Sequence, residues 1–239
     1  MTLTICIIAK DGIVLASDSK ATAFLTSNET VKKIFKLDEH NAVGIAGDGP
    51  LAMFFFDIIL PSLNFRTGII NLAEQLRCQG KGKFDEWFSH QDPDKRPNLT
   101  ILLAGYTPDN KPVVYRLSSN DNFVPRKSTT GFDCIGIPVI ADYLLNRLYE
   151  PEINMTHAAE LATFCIKETS SQDNRVGGPT QIANFSNTKQ YEELSKSDID
   201  NIEKKCDQVR LLQKSYFYPE EADKGSMRPE EATKAPNSK

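Results

Sequence analysis

Long apolar runs are missing from this sequence: no stretch approaches the roughly 18 residues that a helix needs to span a bilayer, so a membrane-embedded role is not expected. The first apolar run stops at Lys10-Asp11-Gly12 and has no basic segment before it, unlike a secretory leader. Cysteine is sparse, odd in number and widely spaced (Cys6, Cys78, Cys134, Cys165, Cys206), with no CxxC pair. That pattern argues against a disulfide frame or a zinc site and suits a reduced, cytoplasmic chain. His40, His90 and His157 are the only histidines and show no ligand spacing, so no metal or other cofactor is expected. An excess of positive charge is also absent. With 28 Lys and Arg against 32 Asp and Glu, the net charge is -4, which disfavours nucleic acid or an anionic membrane as a main partner.

What is present is a globular composition, 40% hydrophobic and 25% charged over 239 residues, enough to bury one sizeable core. A single domain over 1–218 is the economical reading. Residues 219–239, rich in Pro, Glu, Lys and Ser and nearly free of apolar side chains, read as a disordered tail. Short β-rich runs occupy 3–8 and 13–17 around an Asp-Gly turn, then 34–37 and 42–46, a pattern of antiparallel hairpins. After Gly47-Asp48-Gly49-Pro50 the pattern becomes helical over 51–59 and 69–78, with Pro50 well placed at a helix start. The span 79–98, with its glycines, prolines and mixed charges, reads as a loop or insertion around Trp87. Strands are expected at 99–104, 113–117 and 179–185. Helices are expected at 139–149, at 157–168 capped by Thr156, and at 198–214 begun by Ser197 and Asp198. This order predicts two packed sheets with helices outside, a layered α+β fold.

One chemistry stands out at the start of the chain. A threonine hydroxyl is a weak nucleophile and needs a base beside it. A threonine at a free N-terminus carries that base on its own Cα, since the α-amino group titrates near 7.7–8.0. Loss of Met1 would give Thr2 this arrangement. Asp18 and Lys33 could equally be an ordinary ion pair, and Gly47 and Gly49 an ordinary turn; Gly44-Ile-Ala-Gly47-Asp-Gly49 lacks the order of a dinucleotide loop. The run Phe54-Phe55-Phe56 reads as core or subunit contact.

Together, Thr2-Leu-Thr-Ile-Cys-Ile, Lys10-Asp-Gly-Ile-Val-Leu-Ala-Ser-Asp18-Ser-Lys-Ala-Thr22, Thr30-Val-Lys-Lys33-Ile and Val43-Gly-Ile-Ala-Gly47-Asp-Gly resemble the β-type subunits of the proteasome. The resemblance runs over about residues 2–190 and is strongest in the first fifty. It implies the fold of the N-terminal-nucleophile hydrolases, a four-layer α/β/β/α sandwich. It also implies roles: Thr2 as nucleophile, Lys33 as the cation that eases its deprotonation, Asp18 as the carboxylate that orients Lys33, and Gly47 as a backbone donor to the oxyanion. Asp173, in Asp173-Asn-Arg-Val-Gly-Gly178, matches a carboxylate that supports the N-terminus. Thr22 matches a position that binds substrate backbone, and Ala21, Ile45, Gly49 and Met53 match the pocket for the side chain before the cut bond, here small or apolar. Val176 and Gly136 stand where the family carries serines beside the α-amine.

The activity so implied is a threonine endopeptidase that prefers neutral, apolar P1 residues in a peptide or unfolded protein, assembled as a ring-type homo-oligomer that an ATP-dependent unfoldase or cap could feed. Two other readings stay open: a transpeptidase, ligase or amidase using the same nucleophile, and an inactive structural subunit that keeps the scaffold.

Overall fold

The computed structural model describes residues 2–23 and 26–218; Met1 and the expected tail at 219–239 lie outside the described residues. The first sheet is antiparallel, in the order β10-β1-β2-β11-β12. It is built from β1 (Leu3–Ala9), β2 (Gly12–Ser17), β10 (Phe132–Gly136), β11 (Gln181–Phe185) and β12 (Glu192–Glu193). The second runs β5-β6-β7-β8-β9, from β5 (Ile34–Lys36), β6 (Ala42–Gly47), β7 (Leu99–Tyr106), β8 (Pro112–Ser118) and β9 (Arg126–Lys127). A small separate hairpin pairs β3 (Ala21–Ala23) with β4 (Thr26–Asn28).

Period-two alternation explains why the sheets stack. On β1, Leu3, Ile5 and Ile7 join one core cluster, and Cys6 joins another. On β7, Leu99, Ile101 and Leu103 point one way while Leu102 and Ala104 point the other. The inward sets, with Ile13, Leu15, Ala46, Val114 and Phe185, form a layer between the sheets. Outside the first sheet pack α3 (Val139–Leu148), α4 (Met155–Gln172) and α5 (Lys196–Phe217), through Leu145, Ala158, Ala162, Ile166 and Ile202. Outside the second pack α1 (Gly49–Ile59) and α2 (Ile69–Phe88), through Phe55, Ile59, Leu72 and Leu76. The result is helix, sheet, sheet, helix: the expected four-layer sandwich of two antiparallel sheets.

Some local expectations need correction. The helix expected to end at 78 continues to Phe88, so the first half of the supposed insertion is helical. Its buried positions Leu72, Ala73, Leu76, Gly80 and Phe84 continue one stripe. Gly80 sits there because a Cβ would come within 2.9 Å of the Phe55 ring. Trp87 closes the stripe against Phe54 and Phe55, with ring centroids 5.0 and 6.4 Å away. Asn154, not Thr156, caps α4 by accepting from His157 N–H, and Ser195 caps α5 by accepting from Asp198 N–H. Among the phenylalanines of α1, Phe55 and Phe56 are core and Phe54 is half exposed. All five cysteines are free; Cys78 is exposed and the other four are buried. No described helix is long and apolar enough to cross a membrane.

Candidate active site

Thr2 immediately precedes β1, and its strand is fixed on both edges. The Ile137 N–H donates to the Thr2 carbonyl at 2.9 Å, beside the β10 ladder that pairs Leu3 with Gly136. The Leu3 N–H donates to Asp18 Oδ1 at 2.9 Å. Full burial of Leu3, Ile5 and Ile7 contributes about 1.5–3 kcal/mol per side chain, which pins the strand that presents Thr2. Thr4, one pleat further along the same face, bridges the two sheets: its hydroxyl donates to the Ile45 carbonyl at 3.0 Å and lies 2.8 Å from Ser17 Oγ. The sheets approach closely here, since a Cβ on Gly44 would fall 2.4 Å from the Thr4 methyl.

Asp18 follows β2 and is completely buried. Its carboxylate is saturated by Leu3 N–H and Lys33 Nζ on Oδ1 (2.9 and 2.8 Å), and by Gly177 N–H and Lys20 N–H on Oδ2 (3.0 and 3.3 Å). Lys33 is 3% exposed and also donates to the Lys20 carbonyl at 2.6 Å. Burial pulls its ammonium below the ordinary lysine value, and the charge and hydrogen bond of Asp18 oppose that pull. A buried cation held this way is costly to desolvate and stays only because its partners are in place.

Thr2 and Lys33 line one pocket of about 230 Å³, with Ala21, Val31, Ile45, Ala46, Gly47, Gly49 and Met53 among its walls. The pocket therefore gathers the expected nucleophile, the expected cation, the glycine expected to serve the oxyanion and four of the five expected substrate positions. The fifth, Thr22, is placed by its backbone in β3, and its side chain falls outside the described set. Gly47 has φ +126°, and a Cβ there would meet the Asn98 carbonyl at 2.0 Å, so only glycine fits. Asp48 stands at the rim, its carboxylate accepting from Leu51 N–H as the cap of α1.

Asp173 lies outside the residues lining that pocket. It ends α4, and its carboxylate is taken by Arg175, with Nη2 at 2.6 Å and the Arg175 N–H at 2.9 Å. That pairing holds its pKa down at about 2. Among the described residues, the group touching Asp18 from this loop is the Gly177 backbone N–H. The Val176 side chain is buried in the core cluster beneath the first sheet. Gly136 has φ +95°, and a Cβ would fall 1.8 Å from the Thr2 carbonyl oxygen, so this backbone path admits no serine. Among the described residues, no group of three or more His, Cys, Asp and Glu is arranged to hold a metal ion.

A proteasome subunit family model matches residues 2–67. The proteasome subunit beta of Methanopyrus kandleri is 24% identical over 204 residues, covering 84% of this chain and 94% of that protein. The proteasome subunit beta of Methanothermobacter thermautotrophicus is 26% identical over 203 residues, covering 83% and 92%. Among solved structures, Anbu (ancestral beta-subunit) from Yersinia bercovieri superposes with a TM-score of 0.74 at 15% identity, covering 90% of this chain and 96% of that one. At that identity the likeness is one of fold.

Proposed function

We propose that this chain, which is similar to proteasome β subunits, is a threonine-type peptidase whose nucleophile is Thr2, freed by removal of Met1. The observation that carries this reading is the Thr2 pocket, walled by a buried Lys33 whose charge is balanced by Asp18. Thr2 Oγ attacks the peptide carbonyl and passes its proton to its own α-amine. The Lys33 ammonium lowers the cost of the developing alkoxide by several kcal/mol in a desolvated cleft. The Gly47 N–H serves the oxyanion, a donor typically worth about 3 kcal/mol. The C–N bond breaks as the leaving amine takes the proton, leaving an ester on Thr2 that water hydrolyses.

The apolar walls at Ala21, Ile45 and Met53 suit a neutral P1 side chain, with Gly49 leaving room at the rim. Substrate is a peptide or an unfolded segment, and the active form is a ring-type homo-oligomer. In the test, mass spectrometry reads the mature N-terminus and turnover of neutral peptides is compared with Thr2→Ala. The proposal expects Met1 absent and activity lost by at least about a thousandfold. Equal turnover in the two proteins overturns it.

A second reading, a scaffold subunit without catalysis, is favoured by two observations: no side chain fits at Gly136, and Asp173 is committed to Arg175. Gly136 offers no side-chain hydroxyl to the α-amine, and the Asp173 carboxylate already has a cation as partner. Covalent labelling separates the readings, since a β-lactone probe forms an ester with Thr2 only if the hydroxyl is activated.

A further inference from the structure

Lys33 is not on a regular strand; it sits in the extended strip just before β5. The strip is hung between the two sheets. On one side the Ile45 N–H of β6 donates to the Lys33 carbonyl at 3.0 Å. On the other, a single side chain of β11 takes two backbone groups: Gln181 Oε1 accepts from the Lys33 N–H at 3.0 Å, and Gln181 Nε2 donates to the Val31 carbonyl at 2.7 Å. The amide thus mimics a strand neighbour, with one donor and one acceptor spanning residues 31 and 33.

Two cavities lie on opposite faces of this strip. Val31 and Lys33 line the Thr2 pocket, whereas Thr30, Lys32 and Ile34 line a second cavity of about 310 Å³, with Gln181 in its wall. The strip is anchored at its ends, by the Val31 N–H donating to the Ser19 carbonyl at 3.0 Å and by Ile34 buried in the layer between the sheets. Between those anchors, the bonds from Ile45 and Gln181 hold the backbone of Lys33 itself. Gln181 is also paired with Ser17 in the ladder of β2, the residue before Asp18. The same glutamine therefore ties the backbone carrying the cation to the strand carrying its counter-charge.

We propose that Gln181 is a positioning residue for Lys33, setting how far the ammonium reaches toward Thr2. The inference rests on the peptidase reading for its catalytic consequence and on geometry alone for its structural one. A side chain that only filled space could be replaced by one of equal volume; a backbone clamp could not.

The test uses the full chain in three forms: unaltered, Gln181→Met, which keeps volume and removes both bonds, and Gln181→Glu, which keeps the acceptor for the Lys33 N–H and loses the donor at neutral pH. Lysine acetylation, followed residue by residue by mass spectrometry, reads the strip without reference to catalysis. Lys33 should be protected in the unaltered chain and react at least about fivefold faster in Gln181→Met, with exposed Lys36 as the unchanged control. In peptide turnover, kcat should fall about tenfold or more in Gln181→Met with KM within about twofold, and Gln181→Glu should lie between. Lys33 equally protected in both variants overturns the proposal, as does unchanged kcat in an enzyme shown to be active. If the unaltered chain turns over no peptide and takes no β-lactone on Thr2, the peptidase reading fails, while the acetylation result still decides the role of Gln181.

Discussion

The Asp18–Lys33 pair is expensive to maintain, and what it costs to break is a measure of how tightly the site is assembled. Replacing Lys33 by Met leaves a fully buried carboxylate without its counter-charge. Such breakage costs about 3–5 kcal/mol, and the three backbone N–H groups that remain on Asp18 place the expected loss near the lower end. Urea denaturation of Lys33→Met should show it; a change below about 1 kcal/mol would mean that the pair is not buried in solution. The same residues define a pH profile. If the α-amine of Thr2 acts as base, kcat/KM rises as that amine loses its proton, near pH 7.7–8.0. If charged Lys33 is required, activity falls again as pH climbs through its pKa. Because burial lowers that pKa, the alkaline limb should lie below the ordinary lysine range. A limb at or above that range would contradict the assignment.

At the scale of elements, α2 shows how tertiary packing overrides local preference. Two glycines two residues apart would each cost a helix interior about 1 kcal/mol relative to alanine, yet they have different reasons to be there. Gly80 lets the Phe55 ring approach, whereas a Cβ on Gly82 would have nothing within 4 Å. Gly82→Ala should therefore stabilise by about 0.5–1 kcal/mol, raising Tm by a few degrees, while Gly80→Val should destabilise by about 1–3 kcal/mol. Thermal melts of the two variants read both signs. The same contrast explains what could be read from the sequence. Strands with clean alternation or continuous burial, β1, β2, β6, β7 and β8, were legible from their apolar runs. The short hairpin β3–β4 and the polar edge pairs Arg126–Lys127 and Glu192–Glu193 carry no such pattern, because their partners alone define them. In β10, Asp133 looks like a turn residue but is a strand residue paired with Arg116 across the sheets. Thr2, Asp18, Lys33 and Gly47 were visible through motif resemblance. Gln181, 148 positions from Lys33, was not, since its role exists only where the chain returns.

At the scale of the molecule, the two sheets approach closely beside the site, where Thr4 reaches the Ile45 carbonyl and Gly44 makes room for its methyl. A wedge placed there tests whether both sheets behave as one body. Gly44→Val puts two methyl groups into a gap that refuses even one carbon, and overpacking of this kind costs about 1–3 kcal/mol. We expect a lower urea midpoint in one cooperative transition across residues 1–218, together with lost Thr2 reactivity. Separate transitions for the two sheets would show that they fold as independent units.

Thr2 is moored by its own carbonyl and by the amide of the next residue. Both tethers lie downstream of its nitrogen, so cleaving the bond before it severs neither. On the peptidase reading, removal of Met1 thus unmasks the amine while leaving the hydroxyl-bearing residue in the berth it already occupies, so the fold can form first and be armed afterwards without rebuilding its first strand.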